Sequence, residues 1–312
     1  MNWSNLKIMV TGGAGFLGRH IVTKLQESGC GQIFMPLSED YDFRHPYDAT
    51  LALDSFGPDI VIHLAATCGG IGANAHRPAT FFYDNLIMGA NLIDAAHKWG
   101  VNKFVQMGSA CEYPGDAPVP TRETDLWKGY PDKTNAPYGV AKRALETMGR
   151  AYREQYGMNI IHLLMTNIYG PGDDFNLSTS HAIPAIIRQC IEAEAEGLAS
   201  IKLWGSGRAT RDLLYVKDAV EGILLATLYY NEPEPINLGS GREISISDLA
   251  NLVGHITGYH GQFEWDTTKP DGQLHRVLDT SKAKRFGFTA KTTLEEGVAR
   301  TAEWYKENLC GK

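Results

Sequence analysis

Tyr138-Gly-Val-Ala-Lys142 sets a phenol and an ammonium four positions apart. On a helix, that spacing puts both side chains on one face. A neighbouring cation favours a phenolate, so Lys142 is expected to pull Tyr138 down from the ordinary phenol value of ~10. Tyr138 would then exchange a proton with a hydroxyl or ketone near neutral pH. Alone, Tyr-x-x-x-Lys is a common surface-helix pattern. Ser109, at the end of an apolar run upstream, could donate to the same oxygen. The same stretch, "GSACEYPGD" (108–116), also carries Cys111. Free cysteines often pack as small hydrophobes, so Cys111 is either that or part of the chemistry.

A second constellation lies at the start of the chain. Gly12, Gly15 and Gly18 follow "LKIMV" and open "RHIVTKLQESG"; Gly13, Gly15 and Gly18 also satisfy G-x-G-x-x-G. In a strand–turn–helix setting, such glycines permit the turn and let the backbone approach a diphosphate. The helix N-terminus adds unpaired N–H groups and a positive dipole end. Beyond the second strand, "MPLSEDYDF" offers Glu39 and Asp40, and no Arg or Lys stands between Gly29 and Phe43. Either acid could accept from a ribose hydroxyl, and a 2′-phosphate finds little to pair with, so NAD(H) is favoured with NADP(H) as the alternative.

These groups need a scaffold. Apolar strands are expected at 6–10, 32–36, 59–66, 102–109 and 160–170. They alternate with helices after Gly18, over 86–100 and over 138–157. This alternation implies an α/β fold, a Rossmann-like doubly wound parallel sheet covered on both faces. Past residue 170 the pattern loosens, with helices expected at 181–197, 217–230, 247–257 and 293–308. We therefore expect a dinucleotide-binding domain over 1–170 and a smaller α/β substrate domain over 171–312, with some of its segments packing back on the first.

The totals agree with a globular enzyme. The 312 residues are 43% hydrophobic and 21% charged, with a formal net charge of −7. That charge gives no reason to expect nucleic acid as a partner. Cys30, Cys68, Cys111, Cys190 and Cys310 are widely spaced without a CxxC pair, so neither a metal site nor a disulfide framework is expected. No apolar run approaches the ~18–20 residues of a membrane span, and no signal peptide is evident, which points to the cytoplasm.

Longer motifs carry a resemblance. They are "LAATCGGIGANAHRPATFFYDN" (64–85), "GSACEYP" (108–114), "TNAPYGVAK" (134–142), "TNIYGPGDDF" (166–175), "SHAIPAIIR" (180–188), "WGSGRATRDLLYV" (204–216) and "KPDG" (269–272). With them, nearly the whole chain resembles the extended short-chain dehydrogenase/reductases, the class of NAD-dependent nucleotide-sugar epimerases, dehydratases and reductases. Within that class it is most similar to the GDP-L-fucose synthase branch, the GDP-4-keto-6-deoxy-D-mannose 3,5-epimerase/4-reductases. The resemblance implies that Ser109, Tyr138 and Lys142 serve hydride transfer. It implies that Cys111 and His181 exchange the acidic protons beside a C4 ketone. A helix end at His181 could lower its pKa.

The cofactor set implied is Gly12, Gly15, Phe16, Leu17, Gly18, Asp40, Asp42, Phe43, Leu64, Ala65, Ala66, Tyr138, Lys142, Asn167 and His181. The substrate set is Asn167, Arg188, Trp204, Arg211, Lys269 and Arg276, with the arginines suited to a diphosphate. The resemblance also implies a homodimer through helices near 85–99 and 138–157. Leu86, Ile87, Leu92, Ile93, Leu145 and Met148 suit either that interface or packing on the sheet.

The chain departs from the branch in places. Leu37-Ser38-Glu39 replaces a basic residue, Met165 a proline, Asp174 an asparagine, and His275-Arg276 an Arg-Lys pair. A sibling NAD-dependent 4-dehydrogenase or 4-epimerase of another nucleotide sugar, such as a GDP-heptose, therefore stands as an alternative. A non-enzymatic dinucleotide sensor is a third, disfavoured because Ser109, Tyr138 and Lys142 are all kept.

Overall fold

The computed structural model describes residues 3–310. Six of its strands form one parallel sheet: β1 (Lys7–Thr11), β2 (Gln32–Phe34), β3 (Ile60–His63), β4 (Lys103–Ser109), β5 (Ile160–Met165) and, after four strands given below, β10 (Ile236–Leu238). The order across the sheet is β10-β5-β4-β3-β1-β2. Alternate side chains leave a strand on opposite faces. Accordingly Ile8, Val10, Ile60 and Ile62 join one buried cluster, while Met9 and Val61 join the other.

The first cluster is closed by α1 (Phe16–Glu27) and by a later helix at 216–229. The second is covered by α2 (Pro46–Phe56), α4 (Pro78–Trp99) and α5 (Ala136–Tyr156), with the short α3 (Ile71–His76) between α2 and α4. Leu92, Ile93 and Leu145 are buried in that cluster, facing the sheet, whereas Leu86 and Met148 are only partly buried. Residues 46–56, unassigned in the sequence, begin at Pro46 and end at Gly57, whose φ of 64° is open to glycine. Pro78 likewise starts α4 well before residue 86.

The expected strand over 160–170 is two strands. Thr166 interrupts it, its hydroxyl donating to the Asp212 carbonyl at 2.7 Å. β5 stays in the main sheet, while β6 (Asn167–Tyr169) turns away to pair with β9 (Leu213–Tyr215). β7 (Ser200–Trp204) pairs with β12 (Gln262–Asp266), and β8 (Thr210–Arg211) with β11 (Ile244–Ser245). These strands pack with α6 (Ala182–Glu196), α8 (Ile246–Thr257) and α10 (Leu294–Asn308) around a third core. The chain returns to the main sheet with α7 (Val216–Tyr229) and β10, and Phe288, after α9 (Ser281–Lys284), is buried in the first cluster.

β1 lies between β2 and β3, so the chain leaves β1 towards one edge and returns on its other side. Ligands of doubly wound sheets occupy the crevice beyond the strand ends at such a reversal. The loops after β1 and β3 meet there.

Candidate active site

A cavity of about 1520 Å³ opens at this point and continues under the smaller lobe. Gly12, Gly15, Phe16, Leu17 and Gly18 line its first end, with Asp42, Phe43, Leu64, Ala65 and Ala66. The glycines have distinct reasons to be there. Gly12 has φ +68°, and a Cβ on it would stand 2.9 Å from the Ala65 nitrogen. A Cβ on Gly18 would meet the Gly12 carbonyl, so α1 could not approach β1. Gly15 caps α1 without a side-chain bond, leaving its first N–H groups facing the cavity. Thr11, completing β1, accepts from the Ala65 amide at 3.2 Å and hydrogen bonds His63 Nδ1 at 2.8 Å. Burial pulls His63 down to about 3, so this link between β1 and β3 is neutral. The loop therefore fits a dinucleotide diphosphate.

Asp40 does not line the cavity; Leu37, Ser38, Glu39, Asp42 and Arg44 do. Arg44, the residue after Phe43, donates to both Asp42 oxygens, at 2.9 and 2.7 Å, and faces Asp84 at 3.9 Å. This guanidinium pulls Asp42 down to about 2.

Ser109, Tyr138 and Lys142 come together as expected, but their electrostatics differ from the expectation. The Ser109 hydroxyl lies within hydrogen-bonding reach of the Tyr138 phenol. The Lys142 ammonium does not meet the phenol oxygen. It donates to the Met107 carbonyl at 2.9 Å and lies 5.8 Å from the Tyr138 ring centre. Burial, with Cys68, Cys111 and Glu112 nearby, pushes the Tyr138 phenol well up rather than down. Burial also lowers Lys142. Desolvation is the leading cause, and Tyr138 is a phenol at neutral pH.

Cys111 is half-buried and lines the cavity. Its sulfur accepts from Asn135 Nδ2 at 3.2 Å and from Arg276 Nη1 at 3.3 Å. It is thus not a thiol packed among apolar side chains. His181 caps α6 with its side chain left free of the cap, and it faces the same cavity. A close approach puts it there: the Gly70 amide donates to the Thr179 carbonyl at 3.0 Å, and a Cβ on Gly70 would stand 2.8 Å from the Ser180 carbonyl. The "CGGI" and "SHAIP" stretches are therefore in direct contact. The His181 ring is open to the cavity but enclosed by its walls. This burial lowers its pKa, Arg276 adds to the effect, and Asp174 opposes it. Burial, rather than the helix end, is the leading cause.

The far end holds Asn167, Trp204, Arg211 and Arg276. Arg211 is 8% exposed and donates to the Gln273 carbonyl at 2.7 Å and the Asp271 carbonyl at 2.9 Å. Burial brings it down to about 10, so it remains charged at neutral pH. Asp271, from the "KPDG" turn, is fixed in turn by the Ser206 amide at 2.6 Å. Trp204 is 55% exposed, with the Lys269 ammonium 5.2 Å from its ring. Arg188 and Lys269 do not line the cavity. Arg188 is tied to Glu192 at 2.8 Å and to the Phe175 carbonyl at 3.2 Å.

The sequence reading missed several wall residues. Asn135 lies inside the TNAPYGVAK motif, and Gln273 holds Arg276 at 3.0 Å. Asp173 is pushed up to about 7 by burial, which no local pattern announces. Among the described residues, no cluster of three or more His, Cys, Asp and Glu could hold a metal ion, and no helix is long and apolar enough to cross a membrane.

The family model described as NAD dependent epimerase/dehydratase matches residues 8–239. The chain belongs to that family. A nicotinamide cofactor, NAD(P), is therefore its redox partner. Over 303 residues the chain is 39% identical to a GDP-L-fucose synthase of Sinorhizobium fredii (strain NBRC 101917 / NGR234), covering 97% of this chain and 96% of that one. Among solved structures, a GDP-6-OMe-4-keto-L-xylo-heptose reductase from C. jejuni superposes with a TM-score of 0.91 at 26% identity, covering 97% and 98%. A GDP-L-fucose synthetase from Naegleria fowleri bound to NADP gives 0.88 at 28% identity, covering 98% and 95%. In this family member, the glycine loop, Ser109, Tyr138 and Lys142 share one cavity with Cys111 and His181.

Proposed function

We propose that this chain epimerises a GDP-4-keto-6-deoxyhexose at C3 and C5 and reduces its C4 ketone, as a GDP-L-fucose synthase does. The observation that carries this reading is the convergence of Cys111, His181 and Tyr138 on one cavity, with two N–H donors aimed at the thiol sulfur. A hydride-transferring enzyme without epimerisation needs only the serine, tyrosine and lysine.

The chemistry follows from the groups. A C4 ketone makes the C3 and C5 protons acidic. His181, held neutral by burial, can accept such a proton; Cys111 is the second proton carrier. Ser109 and Tyr138 donate to the enolate oxygen and stabilise its charge. The bound cofactor supplies the hydride that reduces C4. Tyr138, still a phenol, gives its proton to O4. Lys142, anchored on the Met107 carbonyl, keeps a positive charge beneath the phenol as it loses that proton. Arg211 supports the diphosphate, and the exposed Trp204 face offers a surface for the base.

We further propose NAD(H) as the preferred cofactor. Glu39 lines the cavity, and the nearby cation Arg44 is engaged by Asp42. A kcat/KM for NADPH above that for NADH would reverse this. The homodimer is retained as a proposal, through the parts of α4 and α5 that the sheet does not cover, with Leu86 and Met148 partly buried there. Light scattering of the purified protein reads it directly.

A GDP-heptose 4-reductase is the second reading, supported by the similarity to the solved GDP-6-OMe-4-keto-L-xylo-heptose reductase. Incubation with GDP-4-keto-6-deoxymannose and NAD(P)H in D2O separates the two. Deuterium at C3 and C5 of a reduced product supports the first. Absence of both exchange and reduction defeats it.

A further inference from the structure

We propose that Glu112 is a positioning residue for this reaction: a buried carboxylate that ties the Ser109–Cys111 turn to the helix carrying Tyr138 and Lys142, and balances that helix's buried positive charge. The inference rests on the reading of Tyr138 as proton donor.

Glu112 is fully buried, where an apolar side chain would cost less. Its Oε1 accepts from the Ser109 amide at 2.7 Å, while the Ser109 hydroxyl accepts from the Cys111 amide at 3.1 Å. This reciprocal cap fixes the turn on which both Ser109 and Cys111 stand. From β5, His162 Nε2 meets the carboxylate at 3.0 and 3.1 Å. A Cβ on Gly108 would collide with both partners, so the pair packs directly over the end of β4. From α5, the Arg143 guanidinium donates to the Glu112 backbone carbonyl.

The charges facing Glu112 are few. Lys142 and Arg143, on α5, are 2% and 7% exposed. Tyr138 faces it from α5, Tyr113 from the same turn, and His162 from β5. Glu112 opposes the loss of charge that burial imposes on Lys142 and Arg143, and it adds to the upward push on Tyr138. One carboxylate thus offsets part of the burial cost on Lys142 and adds to what burial, Cys68 and Cys111 already do for Tyr138, favouring the states that proton donation to O4 requires.

Glu112→Gln tests this, because it keeps an acceptor for the Ser109 amide and removes only the charge. Losing a negative charge strengthens every neighbouring acid. The alkaline limb of kcat for ketone reduction should move down by about one pH unit, whether it reports Tyr138 or Lys142, with the KM for the nucleotide sugar within about twofold. The phenolate absorbance of Tyr138, read as the difference from the matching Tyr138→Phe protein without any sugar, should move the same way.

His162→Gln retains a donor and leaves the carboxylate charged. It should lower kcat several-fold with the alkaline limb in place. An unmoved limb in Glu112→Gln, or an equal movement in His162→Gln, overturns the proposal. If Glu112→Gln does not fold, His162→Gln decides: a raised KM at unchanged kcat is against it, a lowered kcat with a fixed limb is for it. Full ketone reduction by Tyr138→Phe would instead defeat the function proposed above, while the phenolate titration would still report on Glu112.

Discussion

Two groups of residues share the cavity and are built differently. Ser109, Tyr138 and Lys142 come from the end of one central strand and one helix packed on the same sheet. Lys142 is held by a bond to the backbone of β4, to the Met107 carbonyl at 2.9 Å. Cys111, His181 and Arg276 come from three separate stretches, and the Arg276–Cys111 contact spans 165 positions. Burial acts on both groups but with opposite meaning: it keeps the Tyr138 phenol protonated and the His181 imidazole unprotonated. On the proposed reading, Tyr138 gives a proton and His181 takes one. The first group is thus fixed by packing on the sheet, and the second by contacts between stretches far apart in the chain.

This comparison can be broken in order of expected effect. Tyr138→Phe should lower ketone reduction by on the order of 10²–10⁴, the usual share of a positioned general acid, as followed by NAD(P)H oxidation. It should also slow C3 and C5 exchange, because Tyr138 faces the enolate oxygen. Full exchange with no reduction would show the two groups to be independent. His181→Gln should depress exchange by about 10²-fold or more and reduction less, read by deuterium content against cofactor consumed. Arg211→Ala should raise the KM for the nucleotide sugar roughly tenfold to a hundredfold with little change in kcat, as a lost charge-assisted contact does.

The smallest effect concerns pH. His181 sits below its ordinary 6.5, so it remains a base as pH falls, and the acid limb of exchange should lie below that value. Asp174 raises His181, so Asp174→Asn should lower its pKa further and carry the acid limb down by a fraction of a unit. A limb moving up would mean that Asp174 acts on another group.

The hydride group was more legible in the sequence than its electrostatics. Apolar runs, Gly12 to Gly18 and the Tyr138/Lys142 spacing are local patterns, and local patterns determine strands, turns and helix faces. The direction of the Tyr138 shift was not legible, since it depends on what buries the phenol and on Lys142 turning to Met107. In the second group, motif resemblance placed Cys111 and His181 together, but no spacing rule could bring Arg276 to the sulfur. Arg188, an apparent phosphate ligand by type, is held outside the cavity by Glu192 and Phe175. The split of 160–170 escaped for a similar reason: one hydroxyl, on Thr166, bonds to a residue far along the chain.

The most direct test of the division is Cys111→Ser in D2O with GDP-4-keto-6-deoxymannose and NAD(P)H, with deuterium at C3 and C5 and cofactor oxidation followed in one reaction. The account predicts that exchange falls at least tenfold further than reduction, because the serine hydroxyl is a much weaker proton carrier than the thiol while Ser109, Tyr138 and Lys142 are all retained. Equal loss of exchange and reduction would contradict it and return Cys111 to a structural role.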